Sequence, residues 1–290
     1  DKHQVIRFAH GGGTPDFVNL TSAGLIDVQT GTLRLNGIVA GSGTGSSSIT
    51  GTVQVAAGAT LDFGGGSGTN ALAAGSTLTG AGTLTVSSGT LNVAGTDTLT
   101  GARNFSGGSA TFAPTSGAIT ATALTVSGGT ATFDVGVTTP SLAISSGAGD
   151  FNAAGSLGAL TLSGGSFGGS GLMTLNGTGT WSGGTFAGKL QVAAGQTLTV
   201  NGGAKSFGAG TLTNDGTITW SAGDIDIVGN GSITNNGLFN IAGNLLIGDN
   251  SVGTGNIAFD NTASGILRRS AGAGTAYLGS SGGGTPDFVN

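Results

Sequence analysis

Short runs of alternating apolar and polar residues, each closed by Gly, Asn, Asp or Ser, fill most of this chain. Residues 189–247 display the pattern best: KLQVAAGQTLTVNGGAKSFGAGTLTNDGTITWSAGDIDIVGNGSITNNGLFNIAGNLLI. Alternation with period two puts neighbouring side chains on opposite faces of a strand. On that basis Leu198, Val200, Leu212, Ile218, Ile225 and Ile227 face a core, while Thr197, Thr199 and Asp226 face outward. Abundant Thr and Val suits strands, and Gly supplies corners where a Cβ would clash. The pattern predicts strands and turns and argues against helices.

The text also repeats. TNDG at 213–216 returns as TNNG at 234–237, 21 residues later. Ile218 and Trp220 return as Phe239 and Ile241 at the same interval, and Gly223, Ile225 and Ile227 return as Gly243, Leu245 and Ile247 after 20. Strands and turns repeating at about 20 residues are the mark of a solenoid. Phe112, Phe133, Phe151, Phe167, Phe186 and Phe207 are separated by 21, 18, 16, 19 and 21 residues, which predicts one Phe per coil stacked on the next. Phe239 and Phe259, 20 apart, are expected to continue that column. Trp181 and Trp220 lie 39 apart, two coils. Asn214 and Asn235 fall at equivalent places one coil apart, as a side-chain amide ladder would need. The expected fold is all-β, a parallel β-helix of about 20 residues per coil, with on the order of 13 coils and a length of roughly 65 Å.

Longer echoes suggest partial duplication. TVQVAAGATLDF at 52–63 resembles KLQVAAGQTLTV at 189–200, and GAGTLT occurs at both 80–85 and 208–213. The two offsets differ by 9 residues, read as a longer loop in the first copy at residues 64–76. Residues 41–48, GSGTGSSS, read as a polar loop. Residues 1–16 form an arm, cap or linker, 17–279 a single solenoid rod, and 280–290 a junction segment. That last segment repeats the start: GGGTPDFVN is spelled by Gly11, Gly12, Gly13, Thr14, Pro15, Asp16, Phe17, Val18 and Asn19, and again by Gly282, Gly283, Gly284, Thr285, Pro286, Asp287, Phe288, Val289 and Asn290. Either the chain is one module of a tandem array, or the copies are matching junction elements at two ends. A solenoid cannot remove its end edges, only cover them, so these 18 residues are the candidate assembly site.

Composition narrows the chemistry. The chain has no Cys, hence no disulfide or thiolate metal site. All 13 acids are Asp, and a net charge of −5 with 7% charged residues gives no electrostatic basis for nucleic-acid binding. No unbroken apolar block is long enough to span a membrane as a helix. Asp224 and Asp226, with Asp215 nearby, could in principle bind a cation or move protons, but read more simply as turn and face residues. His3 and His10 lack the rest of a metal site. The adjacent Arg268 and Arg269 cannot both face outward on a regular strand, so the strand ends there or the interior opens to solvent. Outward pairs at Thr83/Thr85, Thr98/Thr100, Thr130/Thr132, Thr197/Thr199, Thr211/Thr213 and Thr217/Thr219 are spaced irregularly for an ice-binding array. No catalytic set, metal site or cofactor motif can be assembled.

LQVAAGQTLTVNGG, GAGTLTNDGTITW and GSITNNGLFNIAG resemble the passenger repeats of bacterial autotransporters and filamentous-haemagglutinin-like adhesins. The resemblance implies a right-handed parallel β-helix displayed outside a bacterial cell, acting in adhesion or matrix formation. The expectation is therefore a structural, non-enzymatic surface protein, a fibre or adhesin module whose partners are copies of itself, or adjoining modules, stacked end to end. A glycan-binding adhesin module, with its site in loops 41–48 or 64–76, is the alternative. A polysaccharide-degrading β-helix enzyme and an ice-binding solenoid rank below it.

Overall fold

The computed structural model describes residues 19–36, 46–64, 66–248, 256–279 and 287–289. They fall into two compact units divided between Thr139 and Pro140. Among the described residues the regular elements are all β-strands apart from one short 3-10 turn, Pro114–Ser116, and the strand registers are all parallel. The stacked coils average about 21 residues and form a β-solenoid. The step between coils varies: it is 27 from Asn19 to Ser46, 21 from Thr211 to Ser232, 26 from Ser232 to Ala258 and 28 from Leu238 to Ile266.

In the first unit the early coils are triangles of three short strands, and later two sides run together in the ten-residue strands Arg103–Phe112 and Leu124–Phe133. One coil runs through Ser46–Ile49, Thr52–Val55 and Thr60–Gly64, and the next through Thr69–Leu72, Thr77–Gly80 and Thr83–Val86. Leu25–Val28, Thr52–Val55, Thr77–Gly80 and Thr96–Leu99 make up one face as a four-stranded sheet. Apolar residues alternate into the interior on each strand, as in Val53 and Val55, both fully buried. Gly89, Gly108 and Gly129 stack at one corner with φ of 69°, 64° and 65°. A Cβ on Gly108 would sit 2.2 Å from the Gly89 oxygen, and one on Gly129 would sit 2.2 Å from the Gly108 oxygen. Backbone hand and close approach both demand glycine there.

The second unit repeats the triangle. Its coils include Lys189–Val192, Thr197–Val200 and Lys205–Phe207; then Thr211–Asn214, Thr217–Trp220 and Ile225–Ile227; then Gly231–Asn235, Leu238–Ala242 and Leu246–Gly248. The six predicted inward residues, Leu198, Val200, Leu212, Ile218, Ile225 and Ile227, are all buried. Trp181, Val200 and Trp220 occupy one column in successive coils, so the two Trp are indeed two coils apart.

The phenylalanine column exists in each unit. Phe112 and Phe133 stack at 5.1 Å with an interplanar angle of 9°. Phe151, Phe167, Phe186 and Phe207 follow one another at 5.5, 5.4 and 5.2 Å. The column ends at Phe207, where Ile227 takes the next position. Phe239 and Phe259 do not continue it. They lie on different faces, in register with Ile218 and Ile233 respectively, and meet edge to face at 83°. Matching sequence intervals are not enough when a coil has three faces.

The same reasoning corrects the loops and the echoes. Residues 64–76 are no long loop: they contain the strand Thr69–Leu72, with Asn70 and Leu72 buried. Part of 41–48 is likewise strand, since Ser46–Ile49 pairs with Thr69–Leu72. The 9 extra residues of the first echo therefore hold a strand. In consequence Thr83–Val86 stacks on Thr60–Gly64, whereas its echo Thr211–Asn214 stacks on Lys189–Val192. Similar words occupy different faces.

Candidate functional site

The inward positions that are not apolar carry the polar chemistry of this protein. Asp97 and Arg103 sit in core slots of the first unit, and both side chains are fully buried. Arg103 lies in register between Leu84 and Leu124. Its guanidinium donates to both Asp97 oxygens, at 2.8 and 3.0 Å, and to the Leu99 carbonyl at 2.6 Å. Asp97 also accepts from the Leu99 amide, and the Phe112 ring lies 5.7 Å from the guanidinium carbon. The Arg103 Nε has no hydrogen-bond partner among the described residues. Asp62, also buried, accepts from Arg34 Nε at 2.6 Å and from Ser87 at 2.9 Å.

In the second unit Asn214, Asn235 and Asn261 form an amide ladder. Asn214 Nδ2 donates to Asn235 Oδ1 and Asn235 Nδ2 to Asn261 Oδ1, each at 2.7 Å. The same amides also donate to the Leu238 and Ile266 carbonyls beyond the corner. The ladder thus ties each turn to the next and satisfies buried backbone. Lys205 is only 2% exposed, and its ammonium donates to the carbonyls of Gly203, Ala222 and Gly223 at 2.7, 3.1 and 3.3 Å. Burial lowers its pKa, and the Asp224 charge opposes part of that shift. Burial also pushes the Asp150 carboxyl up.

Two of the aspartates singled out in the sequence, Asp215 and Asp224, serve the stack, while the Oδ1 of the third, Asp226, is buried without a hydrogen-bond partner among the described residues. Asp215 accepts from Gln191 and Asn236, and Asp224 accepts from the Leu246 amide at 2.9 Å. Among the described residues no three His or Asp side chains are grouped to hold a metal ion. His3 and His10 lie outside the described residues. Thr197/Thr199 and Thr217/Thr219 are in register, while Thr211/Thr213 belong to another face. Arg268 and Arg269 are both exposed on a strand, Ile266–Ala271, that runs past them with a register shift before Ala271. Arg269 lies over Ile241, an interior slot, and folds back onto Asn244 and the carbonyls of Gly272 and Gly274.

Of the 18 junction residues, Asn19 and Asp287–Val289 are among those described, and the rest lie outside them. Asn19 opens the strand Asn19–Ser22, which pairs with Ser46–Ile49. Asp287–Val289 is a strand added in parallel to the coil before it: Asp287 lies opposite Ala258, Phe288 opposite Phe259 and Val289 opposite Asp260. Ile266–Ala271 and Tyr277–Leu278 belong to that same earlier coil, and among the described residues no strand pairs with their far edges. Ile266 and Tyr277 are each 59% exposed there. What this arrangement offers chemically is main-chain donors and acceptors in strand register beside apolar surface.

Asp97 with Arg103, Lys205 and the third rung Asn261 were missed in the sequence. Their signal was parity: a charged or amide side chain on the apolar side of an alternating run, as in TDTL, RNF, KSF and FDN. No protein-family model, curated protein or solved structure matches this chain.

Proposed function

We propose that this chain is a structural β-solenoid module of an extracellular or cell-surface fibre, joined to further copies or modules end to end. One observation carries the reading. The second copy of the repeated nonapeptide contributes a strand, Asp287–Val289, to the growing edge of the stack. A nine-residue sequence that occurs twice, and that extends a parallel stack where it is seen, suits a joining element better than a catalytic one. The fate of the polar side chains supports the same reading. Asp62, Asp97, Asp215 and Asp224 all hold strands or corners through hydrogen bonds. A structural module of this kind has no catalytic role. The likeness to adhesin repeats supports a place at a bacterial surface.

Electron microscopy of the full chain over a range of concentrations tests it. Linear filaments of uniform width are expected. Isolated particles at every concentration would refute end-to-end assembly, and turnover of polysaccharide by the purified chain would refute the structural assignment.

A further inference from the structure

We infer that the strand edge of Ala258–Asn261 is the docking site for residues 16–19 of a second copy of this chain, which replace the chain's own residues 287–290 by exchange of identical strands. The inference rests on the end-to-end reading and names its joint.

Three observations lead there. First, the edge already holds the sequence in question: Asp287, Phe288 and Val289 lie in parallel register with Ala258, Phe259 and Asp260. Main-chain pairing does not depend on which chain supplies the strand, and residues 16–18 are the same Asp, Phe and Val. Second, the register points one position further. Asn261 is the last described rung of the ladder through Asn214 and Asn235. The residue after Val289 is Asn290, and the residue after Val18 is Asn19. The repeated DFVN thus offers a large apolar residue after Phe259, in the column of Leu212 and Ile233, and an Asn after Asn261, in the amide ladder. Third, the two donor strands differ in how much regular structure each brings to the edge. Asp287–Val289 brings one three-residue strand. Residue 19 instead leads into Asn19–Ser22, Leu25–Val28 and Thr32–Asn36, a coil's worth of strands. A coil can cover the exposed Ile266 and Tyr277 and the open edges beside them; a single strand cannot. The contact is head to tail and does not close on itself, so it propagates.

Because the chain has no Cys, paired cysteines report the register without background. Ala258 is exposed, so its partner positions can be cross-linked. Full-length Asp16→Cys with Ala258→Cys is oxidised over a dilution series, with Asp287→Cys/Ala258→Cys as the within-chain report that the edge is folded. Asp16→Cys with Ser270→Cys is the off-register control. Exchange predicts disulfide-linked dimers and longer multimers from the 16/258 pair that fade on dilution, and none from the control. Adding Phe17→Glu should abolish them, and adding Phe288→Glu should increase their yield several-fold. Equal linking with and without Phe17→Glu, or no effect of Phe288→Glu, overturns the exchange. Filaments by electron microscopy without 16/258 links leave end-to-end assembly standing and overturn this joint; absence of both overturns the two together.

Discussion

Breaking the buried Asp97–Arg103 pair should cost far more than removing it. Asp97→Val leaves a guanidinium at 0% exposure with one carbonyl partner, Leu99, and an Nε that already lacks one. Stranding a buried charge in this way costs about 3–5 kcal/mol. The Leu99 amide also loses its acceptor, worth about 1 kcal/mol. Arg103→Met alone leaves the Asp97 carboxylate buried and costs a similar amount. The double variant behaves differently. Arg103 lies in a column between Leu84 and Leu124, and Asp97 lies in register with Leu78, so apolar side chains fit both slots. Exchanging a buried pair for packed apolar groups ranges from neutral to about 1–4 kcal/mol stabilising. The double variant should therefore fall within about 1 kcal/mol of the parent or above it, with a coupling energy of at least ~3 kcal/mol. Urea unfolding followed by far-ultraviolet circular dichroism, with all four proteins fitted at a common slope, measures this cycle. If Asp97→Val costs less than about 1 kcal/mol, or if the two single losses add in the double variant, the pair is not desolvated as described.

Three further outcomes are expected. Phe167→Ala removes a ring stacked at 5.5 and 5.4 Å between Phe151 and Phe186, and should lower stability by about 3–5 kcal/mol in the same unfolding assay; a neutral result would take Phe167 out of the core. Gly129→Ala combines a φ of 65° with a Cβ 2.2 Å from the Gly108 oxygen, so the loss should exceed the roughly 1–2 kcal/mol of left-handed backbone alone, whereas Gly58→Ala, with nothing within 4 Å, should show only the backbone part. Lys205 has its pKa lowered by burial from the usual 10.5, so the unfolded chain holds that proton more tightly than the folded one. Stability is then reduced below the folded-state pKa and rises with pH across the window up to about 10.5. Lys205→Met should remove that component, seen as a flatter urea midpoint against pH than the parent's, and identical slopes would contradict it.

What the amino-acid sequence determined by itself is local. Alternation assigned Leu198, Val200, Ile225 and Ile227 to the interior, because side-chain parity along a strand needs no knowledge of partners. The recurrence of TNDG as TNNG pointed to the amide ladder, and the Phe intervals to the stacked rings, because parallel stacking at constant register sets like upon like. The repeated nonapeptide was legible as a junction candidate for the same reason. Only the tertiary structure decided which face each strand occupies. Face is a running count of corners along the path, and one extra strand, such as Thr69–Leu72, advances every later strand by a face while leaving its own letters unchanged. That is why Phe239 and Phe259 left the predicted column and why two GAGTLT segments stack on unlike neighbours. It is also why Asp97 and Arg103 could not be paired in advance. Their contact crosses a corner inside the coil, and its strength comes from burial that the enclosing coils create.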